Sequence, residues 1–243
     1  MKSIKKKTVT VSEAAQILTS CKRVALFAHK NPDGDTVGAC VGLKLILQKI
    51  GVFAEIFCDS EINGKLLRFE EARAIKNKID DKYDLMVAVD CGDLFRLGNF
   101  SGCYSDFDET LTLDHHGGEY FSKYNCVKNY ASTCQIVFEV ANALRLQIDE
   151  VSATYLYMGL CTDTGNFAHN NTDYDSFSMA EQLFKYGADI QKVYQVFFRD
   201  VTFAEIKLTA RVLSRVRSYY DNQMYLLYVS ISIAYLTNPD VTL

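Results

Sequence analysis

The stretch Val24-Ala-Leu-Phe-Ala28 followed by His29-Lys-Asn-Pro-Asp-Gly-Asp35 and then Thr36-Val-Gly-Ala-Cys-Val-Gly-Leu-Lys-Leu-Ile-Leu-Gln-Lys-Ile50 decides the fold. Five apolar residues bounded by polar ones read as a buried strand. Pro32 and Gly34 shape a tight turn after it. The apolar run that follows from Thr36 to Ile50 has helical length. Strand, turn and helix in that order predict one unit of a parallel, doubly wound sheet.

Working outward, the same grammar repeats. Val11 to Ser20 is amphipathic and predicts a first helix, with Ser12 as its N-cap. Strands are expected at Val52–Phe57, Leu85–Val89 and Thr110–Leu113, and a helix between the first two, over Lys65–Lys78. Helices are expected again at Ser132–Leu146, Val151–Cys161, Asp173–Tyr186 and Ile190–Phe198. The tail changes character: Phe203–Val216 reads as a helix and Arg217–Ile233 alternates with strand character. The fold class is therefore α/β, a mainly parallel sheet flanked by helices over residues 1–200, with the start of a smaller α+β domain over 201–243.

Composition limits the function. Of 243 residues, 15 are Tyr and 15 Phe, enough for a well-packed core, and the net charge of -4 argues against a broad nucleic-acid-binding face. No long duplex is expected as a partner. The early lysines (Lys2, Lys5, Lys6, Lys7) are followed by no apolar h-region, so a signal peptide is not expected. No apolar run reaches the ~18 residues that span a bilayer, so no membrane partner is expected either. Eight cysteines without a CxxC pair read as reduced thiols, several inside apolar runs, which points to a cytoplasmic location.

The four histidines all fall in short polar, acidic clusters. His29, Asp33 and Asp35 follow the first strand, and Asp90-Cys-Gly-Asp93 follows the Leu85–Val89 strand. Asp114-His115-His116 follows Thr110–Leu113, and Asp163 ends a helix. A single Asp after a strand is an ordinary cap or turn residue. Three strand ends that deliver carboxylates and imidazoles to one rim are another matter, because without cations such a rim suffers strong like-charge repulsion. Ligands of α/β sheets bind at that rim. A mixed carboxylate and imidazole shell suits manganese, magnesium or iron over zinc, and no cysteine joins it.

These residues resemble the four motifs of the DHH phosphoesterases: His29-Lys-Asn-Pro-Asp-Gly-Asp35, Asp90, Asp114-His115-His116 and Asp163, in the family's order over about residues 20–170. Asp93 and Arg96, Ala131-Ser132-Thr133 and Asp163-Thr-Gly-x-Phe167 are most similar to the branch of nanoRNases and pAp phosphatases. The resemblance implies hydrolysis of very short RNA or 3′-phosphoadenosine 5′-phosphate with two Mn2+, or with Mg2+ or other divalent ions in their place. Cyclic dinucleotides are the alternative substrate. It implies that His29 and Asp33 hold one ion, that Asp35, His115 and Asp163 hold the other, and that Asp90 bridges both. Asp114 is expected behind His115, fixing its tautomer, and His116 at the substrate phosphate or leaving oxygen. Arg96, and backbone N–H groups at Ser132 and Thr133, are candidate phosphate contacts; capping is the other reading of the latter pair. His169 stands near a position where the family commonly has a basic residue. The branch usually carries a second, DHHA1-type domain with a Gly-Gly-Gly-His signature, absent here, so an incomplete second domain is expected. A nucleotide-binding module with little turnover is the competing class, and a homodimer is a possible assembly.

Overall fold

The computed structural model describes residues 6–118, 121–219 and 224–227. The chain divides into two compact units, Met1–Phe198 and Arg199–Leu243.

The first unit is built on a six-stranded sheet in which every pairing is parallel. Its strands are β1 (Lys7–Thr8), β2 (Arg23–Ala28), β3 (Phe53–Phe57), β4 (Leu85–Val89), β5 (Thr110–Asp114) and β6 (Tyr124–Val127). Their order across the sheet is β1-β6-β5-β4-β2-β3. The chain leaves β2 towards β3 on one side and returns to β4 on the other, so β2 and β4 flank the point where the winding reverses. Register makes that point sharp. Ala28 pairs with Val89 and Val89 with Leu113, so His29, Asp90 and Asp114 emerge at one level from three neighbouring strands.

Both faces of the sheet are covered, as the largely apolar central strands β2 and β4 require. Val24, Leu26 and Ala28 belong to one buried cluster, with residues of α1 (Val11–Thr19), α2 (Gly34–Lys49), α4 (Thr133–Ala143) and α5 (Glu150–Asp163). Ala25 and Phe27 point the other way, into a smaller aromatic cluster with Phe57, Tyr83, Phe100 and Tyr104. The last of these lies on α3 (Ser101–Asp106), a helix the sequence did not announce. The Phe27 ring meets those of Phe100 and Tyr104 edge-on at 5.4 and 5.7 Å, a favoured aromatic geometry. The unit closes with α6 (Tyr174–Lys185) and α7 (Ile190–Tyr194), the latter running on as a π-helical turn to Arg199.

Two expectations need correction. The helix over Lys65–Lys78 is replaced by two 3-10 turns, Leu66–Arg68 and Glu70–Ala74. Phe69 between them is extended (φ -104°, ψ 125°) so that its ring can bury against Tyr155 and Phe197. Beyond them Lys76 pairs with the sheet edge, its N–H donating to the Ile56 carbonyl and its own carbonyl accepting from Cys58. Tertiary packing here overrides a helical pattern. The N-cap of α1 is Thr10, not Ser12: Thr10 Oγ1 accepts from the Glu13 N–H at 3.2 Å and Glu13 Oε2 from the Thr10 N–H at 2.8 Å. Strands β1 and β6 were also unannounced, being two and four residues long and mixed in polarity.

The second unit contains α8 (Phe203–Leu213), capped by Thr202, and an antiparallel pair, β7 (Val216–Tyr219) and β8 (Met224–Leu227). The remainder of the expected strand region, to Ile233, and the Asn238–Leu243 end lie outside the described residues. All eight cysteines are free thiols, and among the described residues no helix is long and apolar enough to cross a membrane.

One packing contact sets the site. Gly34, Gly38 and Gly42 line one side of α2 and face α5. A Cβ on Gly38 would stand 2.4 Å from the Tyr155 carbonyl oxygen, and one on Gly159 would stand 2.6 Å from Asp35 Oδ1. The two helices run antiparallel, so the start of α2 meets the end of α5. Gly38→Ala is expected to lower stability by about 1–3 kcal/mol through overpacking against backbone. Gly64→Ala, where nothing lies within 4 Å of the added carbon, is the control. Urea unfolding of the two variants checks the difference.

Candidate metal centre

Each motif residue owes its place to the end of an element. His29 is the first residue after β2 and is 2% exposed. Asn31 takes a left-handed backbone (φ 52°) ahead of Pro32 and turns the chain, its N–H donating to Ser60 Oγ at 3.1 Å. Asp33 is the N-cap of α2, accepting from the Thr36 N–H at 3.0 Å. Asp35 lies in the first turn of that helix and is fully buried. Asp90 follows β4, its N–H donating to the Leu113 carbonyl at 2.9 Å, and it too is left-handed, with φ 57°. A non-glycine residue held there stores strain of order 1–3 kcal/mol. Asp163 is the last residue of α5, the end of a helix where the dipole favours cations over carboxylates.

The side chains gather into adjoining groups. His29, Asp33 and Asp90 offer ligand atoms within 4.8 Å of one another, as do Asp35, His115 and Asp163, and as do Asp90, His115 and His116. His29 Nε2 lies 3.6 Å from both Asp33 Oδ2 and Asp90 Oδ2. His115 Nε2 lies 3.2 Å from Asp163 Oδ2, 3.5 Å from Asp90 Oδ1 and 3.9 Å from Asp35 Oδ2. Asp90 thus turns one oxygen to each histidine.

The donor chemistry fits divalent cations. His29 Nδ1 sits 2.7 Å from the Lys30 carbonyl oxygen and His115 Nδ1 3.0 Å from that of Tyr130. A carbonyl can only accept, so both Nδ1 atoms carry the hydrogen. Both Nε2 atoms are buried and lack a hydrogen-bond partner. An imidazole anchored through one nitrogen, with the other presented bare to carboxylates, is the arrangement of a metal ligand.

Electrostatics point the same way. Burial opposes protonation of His29, yet the carboxylates of Asp33 and Asp90 carry its pKa up to about 9. Burial likewise opposes protonation of His115, but Asp163 and Asp35 raise it to about 9. Burial, reinforced by Asp90 and Asp163, pushes Asp35 well above the usual carboxylate range. Burial also raises Asp163, with Asp90 and Asp33 adding to it. Burial would raise Asp90 as well, but the neighbouring His29 imidazole, the Thr36 hydroxyl and the charge of His115 hold it below that range. The cluster takes up protons where it lacks positive charge of its own.

Several expected roles are redistributed. Asp114 does not stand behind His115. Its Oδ1 accepts from the His116 backbone N–H at 2.9 Å and pairs with His116 Nδ1 at 2.9 Å. The turn out of β5 folds His116, not His115, back over the strand end, and the carbonyl of Tyr130 takes the orienting role at His115. His116 is half-exposed, with Nδ1 also 3.4 Å from Asp90 Oδ1. Ser132 and Thr133 are fully buried at the start of α4. The Thr133 and Cys134 N–H groups donate to Asp35, at 2.6 Å to Oδ2 and 3.1 Å to Oδ1. The N–H of Ser132 donates to Gln135 Oε1 at 3.2 Å. None of these N–H groups is free for a phosphate. Arg96 joins the site through its backbone: its carbonyl accepts from Lys30 at 2.7 Å and its N–H donates to the Asp93 cap at 3.1 Å. His169 is exposed, its ring against Gly165 and Nδ1 3.2 Å from the Asp163 carbonyl oxygen.

Sequence reasoning missed Thr36, whose hydroxyl donates to Asp90 Oδ2 at 2.6 Å, and the hydroxyl of Thr133, which donates to Asp90 Oδ1 at 3.0 Å. It also missed Asn171, whose side-chain amide reaches the carbonyls of Ala131 and Asp163 at 3.3 and 3.2 Å. The one available signal for Thr36 was its place directly after the first motif.

Comparison with known proteins gives this rim a family. The model of the DHH family, N-terminal domain, matches residues 23–160. The chain is 27% identical over 216 residues to the bifunctional oligoribonuclease and PAP phosphatase NrnA of Mycoplasma genitalium, covering 86% of this chain and 67% of that one. It is 28% identical over 200 residues to the Thermus thermophilus protein of the same name, covering 81% and 60%. Against the cyclic-di-AMP phosphodiesterase GdpP of Bacillus subtilis it is 29% identical over 232 residues, covering 85% and 34%. The chain therefore spans roughly three-fifths to two-thirds of the NrnA relatives it matches. Among solved structures, an exopolyphosphatase-related protein from Bacteroides fragilis superposes with a TM-score of 0.81 at 21% identity, over 89% of this chain and 68% of that one. That likeness concerns the fold alone. With its motif residues meeting at one end of the sheet and the family model covering more than half its length, the chain belongs to the DHH family, and its similarity runs to the nanoRNase and pAp phosphatase branch.

Proposed function

We propose that the chain is a metal-dependent phosphoesterase that hydrolyses short oligoribonucleotides or 3′-phosphoadenosine 5′-phosphate. One observation carries this reading: two buried histidines present bare Nε2 atoms to carboxylates on either side of one shared aspartate. Similarity to the NrnA proteins supports the choice of substrate class.

On this reading His29 and Asp33 hold one divalent cation, Asp35, His115 and Asp163 hold the other, and Asp90 serves both. Mn2+ is the proposed ion. When bound, such a pair supplies a water of lowered pKa and neutralises charge that builds on the phosphoryl oxygens. The protein's own part is preorganisation. Carbonyls of Lys30 and Tyr130 lock the two imidazole tautomers, and the N-terminus of α4 grips Asp35. His116, oriented by Asp114, is placed to hold a proton for the leaving oxygen. A histidine oriented by a carboxylate is the usual arrangement for giving a proton to a leaving group. Arg96 and His169 remain candidates for phosphate contact. The second unit, Arg199–Leu243, is proposed to contribute to substrate binding.

The deciding experiment offers a diribonucleotide, 3′-phosphoadenosine 5′-phosphate, a cyclic dinucleotide and pyrophosphate side by side, with Mn2+. Release of mononucleotide or phosphate from the first two, lost on chelation and restored by Mn2+, is expected. Asp90→Asn is expected to reduce release to background. Preferred cleavage of the cyclic dinucleotide would move the assignment to the activity named for the Bacillus subtilis relative. Tight nucleotide binding without turnover would make the chain a binding module.

Two further outcomes follow from the same geometry. His116→Gln is expected to lower kcat by about 10²–10⁴-fold while the number of bound Mn2+ ions, counted by equilibrium dialysis, stays unchanged. Protons and cations compete for the same Nε2 atoms, so Mn2+ affinity should fall as pH falls, with protons released on binding. Titration calorimetry in buffers of different ionisation enthalpy checks the sign.

A further inference from the structure

Asp90 makes two contacts that its role as a shared carboxylate does not by itself require. Thr36 Oγ1 donates to its Oδ2 at 2.6 Å, and Thr133 Oγ1 to its Oδ1 at 3.0 Å. Both threonines are fully buried, and they come from different helices, the first turn of α2 and the first residue of α4. Each does a second thing. The N–H of Thr36 donates to Asp33 Oδ1 at 3.0 Å, and the N–H of Thr133 donates to Asp35 Oδ2 at 2.6 Å. So each threonine ties one aspartate of the first motif, through its backbone, to Asp90, through its hydroxyl.

The division follows the two groups of candidate ligands. Thr36 serves the oxygen of Asp90 that faces His29 and links it to Asp33. Thr133 serves the oxygen that faces His115 and links it to Asp35. A carboxylate oxygen has two acceptor positions. One hydroxyl on each oxygen occupies one position and leaves the other directed at that side's histidine. The left-handed backbone of Asp90 fixes where the side chain starts, and the two hydroxyls fix how its plane is turned.

We propose that Thr36 and Thr133 are paired positioning residues, each setting one face of Asp90 for one of the two cations. This rests on the two-cation reading above. Thr36 orients Asp90 for the ion shared with His29 and Asp33, and Thr133 for the ion shared with Asp35, His115 and Asp163. Neither is proposed as a catalytic residue, because both are buried with their hydroxyls committed to Asp90.

The test changes the side chains alone, removing the hydroxyl (Val) or the methyl (Ser), which leaves the backbone N–H bonds to Asp33 and Asp35 in place. Thr36→Val, Thr36→Ser, Thr133→Val and Thr133→Ser, with the Val/Val double variant, are titrated with Mn2+ as full chains by calorimetry and electron paramagnetic resonance. The wild type is expected to bind two ions. Each single Val variant should weaken one of them by about 10–100-fold, the effect typical of a residue that orients a ligand, and the double variant should weaken both. The Ser variants should keep the wild-type affinities. Should a Val variant fail to fold by circular dichroism, Thr→Ala against Thr→Ser supplies the same comparison.

Unchanged affinities in the Val or Ala variants would overturn the proposal, and so would Ser variants as weak as the Val ones, since a retained hydroxyl would then not suffice to orient Asp90. A wild type that binds two ions and hydrolyses dinucleotide while its variants behave in either way leaves the proposed function standing without this inference. A wild type that binds no Mn2+ overturns both.

Discussion

Four carboxylates, those of Asp33, Asp35, Asp90 and Asp163, are held together at one end of a parallel sheet, and every other feature of the site answers to their mutual repulsion. Two of them are fully or almost fully buried, where an isolated negative charge is costly. The chain spreads the charge by hydrogen bonding: helix N-terminal amides on Asp35, hydroxyls on Asp90, a cap N–H on Asp33. What remains faces two imidazoles. A neutral alternative of similar shape would have been easier to fold. Retention of so many acids in so small a volume is the signature of a place meant for cations.

That concentration of charge depends on an apolar contact elsewhere. The end of α5 can reach the start of α2 only because the helices approach at backbone distance, with no side chain on Gly34, Gly38 or Gly159 to hold them apart. Asp35 and Asp163 are therefore brought together by the absence of carbon atoms. Cys134 fills the remaining space beside Gly159 and its thiol approaches the Asp35 carbonyl at 3.7 Å, so the thiol here is part of the packing.

The sequence made the polar clusters legible because each begins where an apolar run stops, and a parallel sheet has one end at which such stops converge. That argument reaches His29, Asp90 and Asp114 from strand ends alone. It reaches Asp163 only through resemblance, since a carboxylate at a helix end is an ordinary sight. That Asp114 orients His116 and not His115 was illegible for a physical reason: adjacent residues leaving a strand point apart, and the turn geometry that decides which folds back is a property of the whole loop. The carbonyls of Lys30 and Tyr130 carry no side-chain signature at all. The Lys65–Lys78 segment shows the opposite failure. Its pattern is helical, and the bare edge of β3 together with a hole for Phe69 outweighs it.

The first-motif residues sit at positions 29 to 35, Asp90 in mid-domain, and His115 and Asp163 beyond it, so the site samples nearly the whole first unit. Anything that binds there binds the folded chain and has almost nothing to hold in the unfolded one. Occupancy then adds to stability by mass action, about 2.7 kcal/mol when an ion stands at a hundred times its dissociation constant. For a domain of ordinary marginal stability that is a sizeable fraction of the whole. Cation supply would thus govern how long each molecule survives as well as how fast it works, and starvation for the ion would first be seen as loss of the protein itself.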